Sequence, residues 1–210
     1  MNDKCLIITG GEVIRKERIM AEIDSDTYVI CVDKGAETAL EYGIRIDLVV
    51  GDFDSISKEA YKRIVDVAIE YPKEKDFTDT ELAVVEAIRR NKVHIKIANA
   101  TGSRVDHVLS NFLLLYKYKD HDIRIFGNDF EAFLIQKTLI IENSEGRTFS
   151  LIPMTETIEG LSLEGFKYPL DKKDVKMGDS LCISNIITDQ AASIRFAKGS
   201  ALIIITNLEE

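Results

Sequence analysis

The chain has 210 residues, 45% hydrophobic and 30% charged, with a formal net charge of −9. That length holds one large domain or two small ones, and no stretch nears the ~20 apolar residues that a membrane helix needs. The excess of acid argues against a nucleic-acid partner, whose phosphates require a basic footprint.

The opening Met1-Asn2-Asp3-Lys4-Cys5 sets acid before a run of only four apolar residues, unlike a secretion signal, so the expected location is cytoplasmic. Short runs rich in Val and Ile follow at 5–9, 28–32, 48–50, 67–70, 94–98 and 123–126. They are too short for helices and read as buried strands. Helical patterns separate them at 14–23, 35–42, 58–65, 80–90 and 108–117. Strand–helix alternation predicts right-handed crossovers and a mainly parallel, doubly wound α/β sheet. Cys5, Cys31 and Cys182 sit in apolar runs without Cys-x-x-Cys spacing, and read as core residues in a reducing compartment.

After about residue 128 the helical period stops, and alternating segments predict strands at 132–136, 138–142, 148–152, 158–163, 180–184, 192–196 and 201–206. Many short strands with little helix predict an all-β sandwich or barrel. The expected domains are therefore 1–128 and 129–210.

The acids fall at strand ends. Asp33 follows the second strand, Asp52 and Asp54 the third, Asp76 and Asp79 the fourth, and Arg104 and Asp106 the fifth. Open parallel sheets bind ligands at that edge. Clustered carboxylates need a cation or proton to offset their repulsion, and oxygen-only ligands suit Mg²⁺. Each motif also has a purely structural explanation. Asp33 fits the N-cap of the next helix. Thr78 and Glu81 have capping-box spacing, which sets Asp79 in a first helical turn. Asp52 and Asp54, at i and i+2, point the same way if the backbone is extended. Their Asp-x-Asp also resembles that of haloacid-dehalogenase-type phosphatases, but there it follows the first strand and precedes Thr or Val, whereas here Ile56 stands at that position.

In Gly102-Ser103-Arg104-Val105-Asp106-His107 the glycine admits phosphate to backbone N–H groups, and Arg104 can fork onto phosphate oxygens. Asp106 can cap the helix or hold metal or ribose. His107 fits a general base or a packed helix-start residue. Gly10-Gly11 resembles part of a phosphate loop, yet no Gly-x-x-x-x-Gly-Lys motif exists.

Taken in order, Gly10-Gly11, Asp33-x-Gly35-Ala36, Gly51-Asp52-Phe53-Asp54-Ser55, Asp76-x-Thr78-Asp79 and Gly102-x-Arg104-x-Asp106-His107, with Asn111 one turn on, resemble the thiamine pyrophosphokinase family. Gly165-Phe166-Lys167-Tyr168 is similar to a Gly-x-x-Trp element of that family, and Ser184-Asn185 to its Ser-Asn. The resemblance implies a homodimer that transfers pyrophosphate from ATP to thiamine. Asp52, Asp54 and Asp79 would hold Mg²⁺. Gly11, Asp33, Lys75, Asp76, Arg104, Asp106 and His107 would surround ATP, with Arg104 also catalytic. Tyr168, Ser184 and Asn185 would meet thiamine. Lys34 and Ser103 depart from family glycines, and Tyr168 stands where a Trp often stacks. A related pterin diphosphokinase and a non-catalytic nucleotide or thiamine sensor are the alternatives.

Overall fold

A computed structural model describes residues 3–207; Met1 and Asn2, which begin the opening read above as no secretion signal, lie outside them. The chain forms two compact units. One comprises the residues up to Leu114 with Asp120–Asn128; the other comprises Leu115–Lys119 with the residues from Asp129 onward.

In chain order the first elements are β1 (Lys4–Ile8), α1 (Lys16–Met20), β2 (Tyr28–Val32), α2 (Gly35–Tyr42), β3 (Leu48–Gly51), α3 (Lys58–Ile64), β4 (Ala68–Glu70), α4 (Asp79–Arg89), β5 (His94–Ala98), α5 (Val105–Lys117) and β6 (Asp122–Phe126). The six strands are parallel, in the order β6-β5-β1-β2-β3-β4. Leu6, Ile8, Val29, Cys31 and Val49 pack with Ile19, Ala36, Ala39 and Ile64 of three helices. Their neighbours Ile7, Ile30 and Val50 are buried as well. Successive strand residues face opposite sides, so both faces of these strands are covered, which explains their unbroken apolar runs.

Helix ends follow local chemistry. Ser57 caps α3 by accepting the Ala60 N–H, Thr78 caps α4 by accepting the Glu81 N–H, and α2 stops at left-handed Gly43. The first helix is shorter than its 14–23 pattern. The Ile14 N–H is bound by Asn99 Oδ1, and the Asp24 carboxylate folds 24–27 into a turn through the Asp26 N–H and the Thr27 hydroxyl. Asp33 does not cap α2; Lys34 occupies that position without a side-chain cap.

The second unit carries β7 (Phe130–Ile135), β8 (Leu139–Glu142), β9 (Thr148–Pro153), β10 (Thr157–Glu164), β11 (Leu170–Lys176), β12 (Asn185–Ile186), β13 (Ala191–Arg195) and β14 (Ala201–Thr206). They pair antiparallel in the orders β12-β9-β14-β7 and β11-β10-β13-β8. Phe133, Phe149, Leu151 and Ile203 from the first group join Ile158, Leu161, Val175 and Ile194 from the second in one core.

Two expectations change here. The 180–184 segment is not a strand: only Cys182 is buried in it, and its backbone meets β9 through isolated bonds from the Leu151 N–H and to the Ser150 hydroxyl. The unpredicted strand β11, Leu-Asp-Lys-Lys-Asp-Val-Lys, ends its sheet and buries Val175 alone. An edge strand covered in charge shows no apolar alternation, and its lysines discourage further strand pairing. All three cysteines are buried and free, and burial pushes the Cys5 thiol up to about 12 and that of Cys182 to about 11.

Candidate active site

The register aligns Ile8 with Cys31 and with Ala98, Val32 with Val50, and Gly51 with Glu70. Five consecutive strand ends therefore open onto one edge. From β1 the chain steps outward to β2, β3 and β4, then returns to β5 on the other side of β1. Such a reversal leaves a crevice between the loops after the two diverging strands. A cleft of about 950 Å³ lies there, lined from Thr9 and Gly11 through Asp33, Asp52, Asp54 and Asp79 to Arg104 and Asn111.

The loops after β1 and β5 are joined across this crevice. The Glu12 N–H donates to the Thr101 carbonyl at 2.7 Å, the Thr9 hydroxyl to the Asn99 carbonyl at 2.5 Å, and the Ile14 N–H to Asn99 Oδ1 at 3.1 Å. At Gly11 a Cβ would lie 2.1 Å from the Asn99 carbonyl oxygen and 2.3 Å from that of Thr101. Only glycine permits that approach. Asn99 is 1% exposed, has φ 56°, and keeps a buried Nδ2 with no hydrogen-bond partner.

Asp33 bends out of β2 with φ 44°, and its Oδ1 accepts the Phe53 N–H at 3.3 Å. Its carboxylate occupies the space beside Gly51, where a Cβ would stand 1.8 Å from Oδ1 at φ 155°. The glycine of Gly-Asp-Phe-Asp is thus the seat of a carboxylate from the neighbouring strand. Burial first, and then the charges of Asp79 and Asp52, push the Asp33 carboxyl up to about 6. Phe53 has φ 57°, so Asp52 and Asp54 lie in a turn, with the Asp54 N–H donating to Asp52 Oδ1 at 3.2 Å. The extended geometry expected for this pair is not the one formed.

Lysines meet two of the acids. Lys73 Nζ lies 2.5 Å from Asp54 Oδ2, an exposed pair, and Lys75 Nζ lies 2.7 Å from Asp79 Oδ1. That Asp79 oxygen is buried, and the lysine contact lacks hydrogen-bond geometry, so it has no hydrogen-bond partner. Arg104 forks onto Asp106 at 3.0 and 2.7 Å, which holds the Asp106 carboxyl far below the usual range.

Asp33→Asn should stabilise the chain in metal-free buffer, because an amide still accepts from Phe53 and carries no charge against Asp79. The native carboxyl titrates near 6 against an ordinary 3.8. Protonated Asp33 therefore favours folding, and the native chain loses stability as pH rises from about 4 through about 6. After discounting for partial exposure we expect roughly 1 kcal/mol, a gain of about 2–4 °C at pH 7.5 that vanishes near pH 4. Thermal unfolding of both proteins at the two pH values checks this; equal midpoints at pH 7.5 count against the repulsion.

Of the expected ATP and metal residues, Gly11, Asp33, Asp52, Asp54, Asp79, Arg104 and His107 line the cleft. Lys75, Asp76 and Asp106 do not line it, although Lys75 and Asp106 touch residues that do. Tyr168, Ser184 and Asn185 belong to the second unit. Thr9, Lys73 and Asn99 are cleft residues that sequence reasoning missed. Asn99 had one usable signal, since an Asn directly after a strand tolerates a left-handed backbone.

The fold and the cleft define an α/β protein whose site offers carboxylates, glycine-lined backbone and cations, the donors suited to a metal–phosphate ligand. Residues 19–127 match the family "Thiamin pyrophosphokinase, catalytic domain" and residues 137–200 match "Thiamin pyrophosphokinase, vitamin B1 binding domain". The chain belongs to the thiamin pyrophosphokinase family. It is 37% identical over 205 residues to the thiamine pyrophosphokinase of Bacillus subtilis (strain 168), covering 94% of this chain and 96% of that one. Its fold matches the crystal structure of that bacterium's thiamine pyrophosphokinase at a TM-score of 0.85, with 32% identity and 97% and 99% of the two chains covered. The thiamin pyrophosphokinase of Geobacillus thermodenitrificans matches at 0.86, with 31% identity and 97% of each chain covered.

Proposed function

We propose that this chain transfers the pyrophosphoryl group of ATP to the hydroxyl of thiamine, forming thiamine pyrophosphate and AMP. A doubly wound α/β domain, 1–128, would bind ATP and a β-sandwich domain, 129–210, thiamine. The carrying observation is the acidic cleft at the reversal of strand order, in a chain that resembles a thiamine pyrophosphokinase over 94% of its length.

The donor set fits Mg²⁺ by its chemistry. Among the described residues no three acidic, His or Cys side chains converge as a ready-made metal cage. Mg²⁺ needs only one or two carboxylates, completing its shell with water and substrate phosphates. Asp52, Asp54 and Asp79 share the cleft, and Asp79 would exchange its Lys75 ion pair for the metal. Bound there, Mg²⁺ would neutralise charge on the phosphates. The chain's own contribution is positioning and charge. The Gly11 and Gly102 loops line the cleft, Arg104 offers a two-pronged cation, and Lys75 adds a second beside Asp79. Tyr168, 59% exposed, would stack on the thiamine pyrimidine. A homodimer is supported by Val105, Leu109 and Leu113, which form an exposed apolar row along α5 of the kind a second copy covers. No described helix is long and apolar enough to cross a membrane, and we place the enzyme in the cytoplasm.

The test is AMP release from ATP with Mg²⁺ and thiamine, with hydroxymethylpterin, and with neither. AMP formed only with thiamine is the expected result. Release with the pterin alone, or none with either, overturns the proposal.

A further inference from the structure

Asn185 is 4% exposed, and its side-chain amide is committed to backbone. Its Oδ1 accepts the N–H of Tyr168 at 3.0 Å and that of Ile186 at 2.9 Å, while its Nδ2 donates to the Tyr168 carbonyl at 2.8 Å. Two N–H groups can meet only the oxygen and a carbonyl only the NH₂, so the orientation of the amide is dictated. The oxygen has both lone pairs filled and none left for a ligand. The pattern imitates a strand partner, and real pairing continues it. The Lys167 N–H donates to the Ile186 carbonyl at 2.8 Å, and Phe166 bridges Ile187. Phe166 is buried with its ring 4.6 Å from that of Phe149. Pro169 follows Tyr168 and narrows its backbone further. The main chain of Tyr168 is thereby fixed on every side, while its ring stays 59% exposed.

We infer that Asn185 is a positioning residue: it locks the main chain of Tyr168, so that the second unit presents a preorganised aromatic face to thiamine. An aromatic group fixed before binding loses little conformational entropy when a ring stacks on it. The inference rests on the reading that Tyr168 stacks on the thiamine pyrimidine.

The chain contains no tryptophan, so Tyr168→Trp creates a single fluorescent reporter at this position. In that background Asn185→Ala should lower the steady-state anisotropy and weaken thiamine quenching about fivefold to tenfold, the scale of one aromatic contact. With native Tyr168, Asn185→Ala should raise the KM for thiamine similarly, while kcat and the KM for ATP move less than about twofold. Tyr168→Ala should raise the same constant roughly tenfold, and the double variant should be no worse, because both changes remove one contact. If Asn185→Ala unfolds, Asn185→Asp keeps the acceptor for the Tyr168 N–H but sets a carboxylate oxygen against the Tyr168 carbonyl, and should likewise raise the KM for thiamine and lower the anisotropy. Independent, multiplying effects in the double variant, or unchanged anisotropy beside a raised KM in Tyr168→Ala, overturn the positioning role. An unchanged thiamine KM in Tyr168→Ala instead overturns the stacking reading beneath it.

Discussion

Asp52→Asn and Asp54→Asn should each abolish pyrophosphoryl transfer while the chain stays folded. Both residues line the cleft beyond β3, and neither belongs to the hydrophobic core. The turn that holds them survives the first change, because an amide oxygen at 52 still accepts the Asp54 N–H. At 54 the substitution also frees Lys73 from an exposed ion pair, which contributes at most about 1 kcal/mol to folding. Loss of a metal ligand should remove several kcal/mol of transition-state stabilisation, roughly a thousandfold in kcat/KM. Lys73→Ala separates the two effects, since it removes the ion pair and leaves the carboxylate. Rates should be measured at saturating Mg²⁺ beside thermal unfolding. Native-like rates in both aspartate variants would remove these residues from the metal site.

Arg104→Lys should lower kcat/KM by roughly 10- to 100-fold, although the charge is kept. Arg104 already holds a carboxylate with two parallel N–H donors, at 3.0 and 2.7 Å, from a position on the cleft. A phosphate offers the same two-oxygen geometry, and lysine brings a single ammonium that cannot match it. The side chains of Arg104 and Asp106 are 69% and 66% exposed, so exchanging this partner for phosphate gives up little. One lost charge-assisted bond, about 1.5–3 kcal/mol, sets the expected range. The loss should appear with ATP at any thiamine concentration. Equal kcat/KM in the variant and native enzymes would make Arg104 a surface partner of Asp106 and nothing more.

Much of the catalytic half was legible because its signals are local. Buried parallel strands show as short, largely apolar runs, so 28–32 and 94–98 matched β2 and β5 residue for residue although His94 and Lys96 interrupt the second, and the acids stood at strand ends in plain view. The capping role of Thr78 followed from its spacing to Glu81. The edge strand β11 failed the same reading because four consecutive positions, Asp171 to Asp174, face solvent.

The sequence by itself determined the kinds of elements, their alternation and the chemistry delivered to their ends, since period and composition act over a few residues. Only the tertiary structure decided what lies beside what. The order β6-β5-β1-β2-β3-β4 sets the loops after β1 and β5 against each other and makes the crevice. It turns Asp33 from a helix cap into the carboxylate seated over Gly51, and gives Asn99 and Asn185 their backbone partners across 85 and 17 residues. Such contacts depend on strand order and register, which are settled by the burial and hydrogen bonding of the whole sheet at once, and no local pattern encodes them.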